Sequence, residues 1–208
     1  MGKYIGPSCK ICRKVSSKLF LKGERCFTPK CAIEKQRPIP GASQLRRRRL
    51  TDYGIHLREK QKLRFSYGLM EKQFSIYVEK AFKHKLITST ALLQFLERRL
   101  DNVVFKLNFS HSRKQARQIV GHGHFTVNDI PTNIPSFQVE IGDVIKWKAS
   151  KKDKVYVKII TEELNSKSIP DWLELNQEEL EGKVIDLPDI NEDELDLETR
   201  LIVEHYSR

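Results

Sequence analysis

Apolar side chains recur every third or fourth position from about residue 52 to residue 120, then every second position to residue 147, so helices come first and strands follow. Thr51 or Asp52 is placed to cap a helix running to about Tyr67, on which Leu57, Leu63 and Tyr67 are apolar and Arg58, Lys60, Lys62 and Arg64 are charged; Gly68 ends it. Phe74, Tyr77, Val78, Ala81 and Phe82 fall at i, i+3, i+4, i+7 and i+8, one face of a second helix, which assigns these aromatics to a core. Leu92, Leu93, Leu96, Leu100, Val103, Val104 and Leu107 continue the spacing through two helices or one bent one.

Ser112 and Gln115 have the spacing of a capping box, Ser112 accepting from the Gln115 amide and Gln115 reaching back, so a helix starts at Arg113. Arg113 and Arg117 share one face, while Ala116, Ile119 and Val120 point toward a core. Gly121 and Gly123 end the element, with His122 and His124 at its exit. Residues 125–127, 137–139 and 144–147 read as short strands, separated by Asn128-Asp129, Pro131, Pro135 and Gly142-Asp143. The pattern predicts an α+β fold in which a module of two helices on a small β-sheet is inserted into a helical domain. Farther on, Pro170, Trp172, Pro188 and the strand-like Leu201-Ile202-Val203 make the end of the chain an ordered segment that packs back on the helical middle.

Charge changes the picture from fold to partner. The net charge is +11, distributed as +14 over residues 1–66, +5 over 67–150 and −8 over 151–208. A basic front and an acidic end suit a protein with one surface on a polyanion, and nucleic acid leads over anionic membrane. No apolar run approaches the roughly 18 residues of a membrane span, no signal peptide is expected, and Gly6 stands where a myristoylation site requires Ser or Thr. The expected setting is intracellular and reducing, where cysteines are rarely disulfide-bonded.

Cys9, Cys12, Cys26 and Cys31 are the chain's four cysteines, spaced C-x2-C-x13-C-x4-C. Each short pair can form a knuckle that presents two thiolates to one tetrahedral ion, so the spacing predicts one structural zinc ion, with four free or redox-active thiols as the alternative. Lys10, Arg13 and Lys30 flank the pairs and favour thiolate over thiol. Four sulfurs close the coordination sphere, which excludes a catalytic zinc with an open position. Pro38, Pro40 and Gly41 then form a hinge into Arg46, Arg47, Arg48 and Arg49, a run suited to RNA phosphates.

Three stretches then carry a resemblance: Arg99-Leu100-Asp101-Asn102-Val103-Val104, Ser112-Arg113-Lys114-Gln115-Ala116-Arg117-Gln118 and Gly121-His122-Gly123-His124. With Val127-Asn128, Ile134-Pro135-Ser136 and Gly142-Asp143, they resemble the RNA-binding domain of the S4 type. That domain also occurs in pseudouridine synthases, aminoacyl-tRNA synthetases and a heat-shock protein, so the rest of the chain decides. Tyr4-Ile5-Gly6-Pro7 with the cysteines, residues 21–26, residues 57–63 and the closing Glu204-His205-Tyr206-Ser207-Arg208 resemble the bacterial S4 family of small-subunit ribosomal proteins in its zinc-binding form.

The resemblance implies a cytoplasmic, non-catalytic protein of the small ribosomal subunit that binds a helical junction in the 16S rRNA 5′ domain and nucleates assembly. It implies contact with ribosomal protein S5, a place where messenger RNA enters the subunit, and influence on decoding accuracy. No membrane or small-molecule partner is expected. Expected domains are 1–45 (zinc segment and linker), 46–97 completed by 160–208 (helical), and 98–159 (S4-type RNA-binding). Besides the arginine run, Arg58, Lys62, Arg113, Lys114 and Arg117 are the expected RNA contacts, and His122 and His124 are either RNA contacts or a structural turn. Two departures stand out: Gly41-Ala42-Ser43-Gln44 replaces the family's Pro-Gly-Gln-His-Gly continuation, and Val127-Asn128-Asp129 replaces Val-Asn-Gly. An RNA-modifying enzyme with the same module would need a catalytic domain, for which little chain remains, and no P-loop, H-E-x-x-H or nucleophile elbow is present. A zinc-dependent DNA-binding regulator is the other alternative.

Overall fold

Thr51 begins the helical part as expected: its Oγ1 accepts from the Gly54 amide at 3.2 Å, capping α2 (Asp52–Ser66). α1 (Ser8–Val15) precedes it, followed by a 3-10 turn at Gly23–Phe27. Gly68, at φ +65°, turns the chain from α2 into α3 (Glu71–Phe82), after which comes α4 (Thr88–Glu97). This computed structural model describes residues 2, 4–41, 50–152, 155–164, 168–189 and 197–207. The chain divides into two compact units, Met1–Leu93 with Ile190–Arg208, and Gln94–Asp189.

The core of the first unit is made by Leu63, Tyr67, Phe74, Tyr77, Val78 and Ala81, all buried, whereas Phe82, at the end of α3, is exposed. The stretch Leu201-Ile202-Val203, expected as a strand, lies in a helix (Thr199–Ser207) packed on α2. Thr199 and Ile202 are buried, and Tyr206 lies one turn farther along the same face, so packing at helical spacing overrides β-branched propensity. Tyr206 Oη donates to Glu71 Oε1 at 2.9 Å, and Lys60 Nζ donates to the same oxygen at 2.7 Å. Arg64 Nε stands 3.4 Å from Glu71 Oε2.

Burial works against the Glu71 charge, but the bonds from Lys60 and Tyr206, with the charges of Lys60 and Arg64, outweigh it and hold the carboxyl below its usual range. Burial, then the bond to Glu71, push the Tyr206 phenol well up, so it remains a donor at any working pH. For a carboxyl with a depressed folded pKa, the stabilisation is present above the unfolded pKa of about 4.3 and is lost as pH falls through the folded value. The thermal midpoint is therefore expected to drop below about pH 4 in the wild type, and Glu71→Gln should flatten that part of the profile. Superimposable pH profiles measured by circular dichroism would refute the link.

In the second unit, α5 (Leu100–Lys106) and α6 (Arg113–Gly121) pack on an antiparallel sheet. Its strands are β1 (Phe125–Val127), β2 (Ile130–Thr132), β3 (Val144–Trp147), β4 (Leu173–Asn176) and β5 (Glu181–Val184), in the order β2-β1-β3-β5-β4. Between β3 and β4 lie α7 (Ala149–Lys152) and α8 (Val155–Leu164); the C-terminal helix is α9. Leu100, Val103, Val104, Leu107, Ala116 and Val120 meet Phe125, Val127, Ile145 and Trp147 in one core, joined by Val157, Ile160 and Leu164. At Gly182 on β5 a methyl group would run into the buried Leu107 side chain, so this close approach needs glycine.

Three expectations change here. Residues 137–139 form no strand; Gln138 makes a single bridge to Arg99. β2 was hidden because Pro131 reads as a breaker, yet Pro131 sits on an edge strand, where no inner ladder needs its missing N–H. The segment 160–189 belongs to this unit, not to the helical one, because β5 pairs with β3 and carries β4 with it. The Asn128-Asp129 turn joins β1 to β2 with both residues at positive φ, 50° and 64°, the two-residue geometry that matches strand twist. Asn128 steadies it by accepting from Val144 N at 2.9 Å and donating to Asp143 at 2.7 Å.

Candidate nucleic-acid interface

In the first unit α1 and α2 flank a groove of about 530 Å³. Ile11, Val15, Leu57 and Phe65 line it with apolar surface, and Lys10, Lys14 and Arg58 supply charge, with Arg64 paired to Glu71 behind them; among the described residues no carboxylate lines it. Lys10 and Lys14 are four apart on α1 and therefore share a face, both exposed. Arg64 lies over the Phe65 ring at 4.1 Å and donates to Gln61 Oε1 at 2.8 Å, so it holds the wall while the others face outward. Such a surface attracts phosphate and gives little purchase to a cation.

Of the residues expected to bind RNA, Arg58 lies in this groove. Lys62 does not: it is 7% exposed, with its ammonium 3.8 Å from Glu59, so its charge is neutralised inside the unit. Arg46, Arg47, Arg48, Arg49 and the departure at Ala42-Ser43-Gln44 lie outside the described residues; the described chain resumes at Leu50, on the groove wall. Lys10 and Lys14 become an i, i+4 pair only once residues 8–15 are helical, because the cysteines among them carry the spacing of metal ligands.

In the second unit Ser112 caps α6, its Oγ accepting from Gln115 N at 3.3 Å. Gln115 reaches back one residue farther than a capping box, accepting from His111 N at 3.1 Å. Arg113 turns inward: its Nε donates to Asn102 Oδ1 at 2.7 Å and its guanidinium lies over Phe105 at 4.8 Å. Asn102 donates in turn to the Glu97 backbone carbonyl at 3.0 Å and to its carboxylate at 2.8 Å. This buried chain from Glu97 to Arg113 was not anticipated. Lys114 and Arg117 are half-buried on α6, and the rings of His122 and His124 stack at 6.3 Å beyond its end. The His124 ring also meets Trp147 edge-on at 5.8 Å.

Cys12, Cys26 and Cys31 are buried and Cys9 is half-buried, all four as free thiols. Burial pushes the Cys12 thiol up, the bond from the Leu19 amide draws it down, and the charges of Cys26, Cys9 and Cys31 push it up again. Burial likewise raises Cys26, against the Lys22 N–H that donates to its Sγ at 3.4 Å. The cation that acts on Cys26 is Lys18, paired with Glu34. Without a metal both therefore favour the thiol, contrary to the expectation from their flanking cations. The donor set is soft, and backbone N–H groups donate to Cys12 and Cys26, as the chemistry of a zinc site asks. Among the described residues, however, no three Cys, His, Asp or Glu side chains stand in metal-binding geometry.

Residues 3–97 match the family described as Ribosomal protein S4/S9 N-terminal domain, and residues 98–145 match the S4 domain. The fold and its cationic groove thus belong to the class of ribosomal proteins that carry an S4 domain. The small ribosomal subunit proteins uS4 of Heliobacterium modesticaldum and Thermodesulfovibrio yellowstonii are each 47% identical to this chain over 208 residues, covering all of both chains. That of Syntrophus aciditrophicus is 49% identical over 209 residues, again at full coverage. The chain belongs to the uS4 family of small ribosomal subunit proteins.

Proposed function

We propose that this protein is a structural, non-enzymatic constituent of the small ribosomal subunit in the cytoplasm, where it binds 16S rRNA beside neighbouring subunit proteins. Family membership over the full length supports this, and no helix among the described residues is long and apolar enough to cross a membrane. The single observation that carries it is the groove between α1 and α2, where Lys10, Lys14 and Arg58 supply charge and, among the described residues, no carboxylate lines the wall. Side chains do not fit the deep major groove of A-form RNA, so a helical junction in the 5′ domain is recognised by shape and phosphate position. Binding there early nucleates the subunit body. Contact with protein S5, a place where messenger RNA enters, and influence on decoding accuracy complete the reading. The test is a gel-shift comparison of 16S 5′-domain RNA with duplex DNA at matched salt. Preference for RNA is expected, and preference for DNA would overturn the proposal in favour of a DNA-binding regulator.

Cys9, Cys12, Cys26 and Cys31 are the residues that would hold one structural zinc ion, supported by their spacing, burial and mutual electrostatic influence. Bound zinc would cross-link a cationic segment too small to build a large core. Elemental analysis of the purified protein should give one zinc per chain, and chelation should expose residues 1–40 to protease. Metal-free protein with the same protease resistance would remove zinc from the picture.

A further inference from the structure

Phe20 and Phe27 stack on each other with centroids 5.1 Å apart and planes 30° from parallel, yet they are 42% and 75% exposed. Folding alone does not account for leaving two large rings in water. Phe20 is moreover held at φ +48°, a left-handed conformation that a bulky residue adopts only when its surroundings impose it. Buried Leu19 and Leu21 anchor its two sides, so the backbone between them turns the ring outward. The turn that carries Phe27 is equally fixed: Lys22 N–H donates to Cys26 Sγ at 3.4 Å, and Thr28 Oγ1 donates to Arg25 O at 3.0 Å. The surface around the pair is cationic. Lys22, Arg25 and Lys30 are exposed, and residues 1–41 carry ten Lys and Arg against two Glu.

We infer that the Phe20–Phe27 pair is a stacking platform for an unpaired base of the bound RNA, with Lys22, Arg25 and Lys30 taking the phosphates beside it. A rigid aromatic surface set among cations fits a base splayed out of a junction, because every base offers a π-face next to a negative backbone. An acidic protein would satisfy the cations but would leave the flat paired rings without a planar partner. The inference rests on the proposed rRNA binding.

The test uses the full-length protein and 16S 5′-domain RNA over a range of salt. Phe20→Leu with Phe27→Leu keeps apolar bulk and removes the flat faces. It should weaken binding about tenfold while leaving the slope of log K against log salt unchanged, since stacking releases no counterions. Phe27→Tyr should bind like wild type. Equal affinity of the leucine variant and wild type overturns the platform alone, and so does a variant that keeps RNA affinity but loses a ribosomal protein neighbour. Loss in the tyrosine variant as well assigns the pair to packing and also overturns it. Wild-type protein that fails to bind the RNA overturns the platform together with the function on which it rests.

Discussion

Replacement of Arg99 by methionine is expected to lower the stability of the second unit by about 3–5 kcal/mol. Arg99 is 0% exposed, and its guanidinium forks onto Asp101, Nε to Oδ1 at 3.0 Å and Nη2 to Oδ2 at 2.6 Å. Asp101 is buried too, so removing the arginine strands a carboxylate away from water. The position also ties the start of α5 to the loop beside it: Leu100 N donates to Phe137 O at 2.9 Å and Val139 N to Arg98 O at 2.9 Å. Urea unfolding should show a lower midpoint at unchanged slope. Adding Asp101→Leu should recover much of the loss, because a buried ion pair replaced as a whole by apolar groups is often near neutral. A single-variant midpoint within experimental error of wild type would refute the assignment.

The largest functional effect is expected from the groove. Lys10, Lys14 and Arg58 changed together to Ala should weaken 16S 5′-domain RNA binding about 100-fold near physiological salt and lower the log K–log salt slope by about 2–3, close to one per lost phosphate contact. The thermal midpoint should hardly move, since Lys10 and Lys14 are exposed. Lys62→Met serves as the contrast: its ammonium is buried beside Glu59, so the slope should stay that of wild type. An unchanged slope in the triple variant would place the RNA on another surface. Arg113→Ala is less informative, because it empties a half-buried hydrogen bond to Asn102 and mixes stability with affinity.

Periodicity located the helices from α2 to α6 because each repeats a buried face every three to four residues, and the caps at Thr51 and Ser112 marked their starts. Sheet membership was harder to see. β4 and β5 lie in acidic, loop-like sequence; β5 is a strand because it pairs with β3 across more than thirty residues of chain, and β4 because it pairs with β5. No local propensity encodes such a pairing. Nothing in the sequence pairs Asp101 with Arg99 two residues before it, and only the fold brings the two together in the interior. Arg113 shows the opposite limit: charge on a helix face reads as solvent-facing until Asn102 and Glu97, 11 and 16 residues earlier, are folded beneath it.

The last helix of the chain, α9, completes the unit whose first helix is α1, whereas residues 94–189 form a continuous unit of their own. The inserted unit has all its residues by Asp189, before the residues of α9 are added. α9 braces α2, the wall of the cationic groove: Ile202 is buried in the packing between them, and Tyr206 donates to Glu71, the carboxylate that Lys60 and Arg64 of α2 also hold. A chain cut before Thr199 is therefore expected to lose this brace, and with it the support behind its RNA surface.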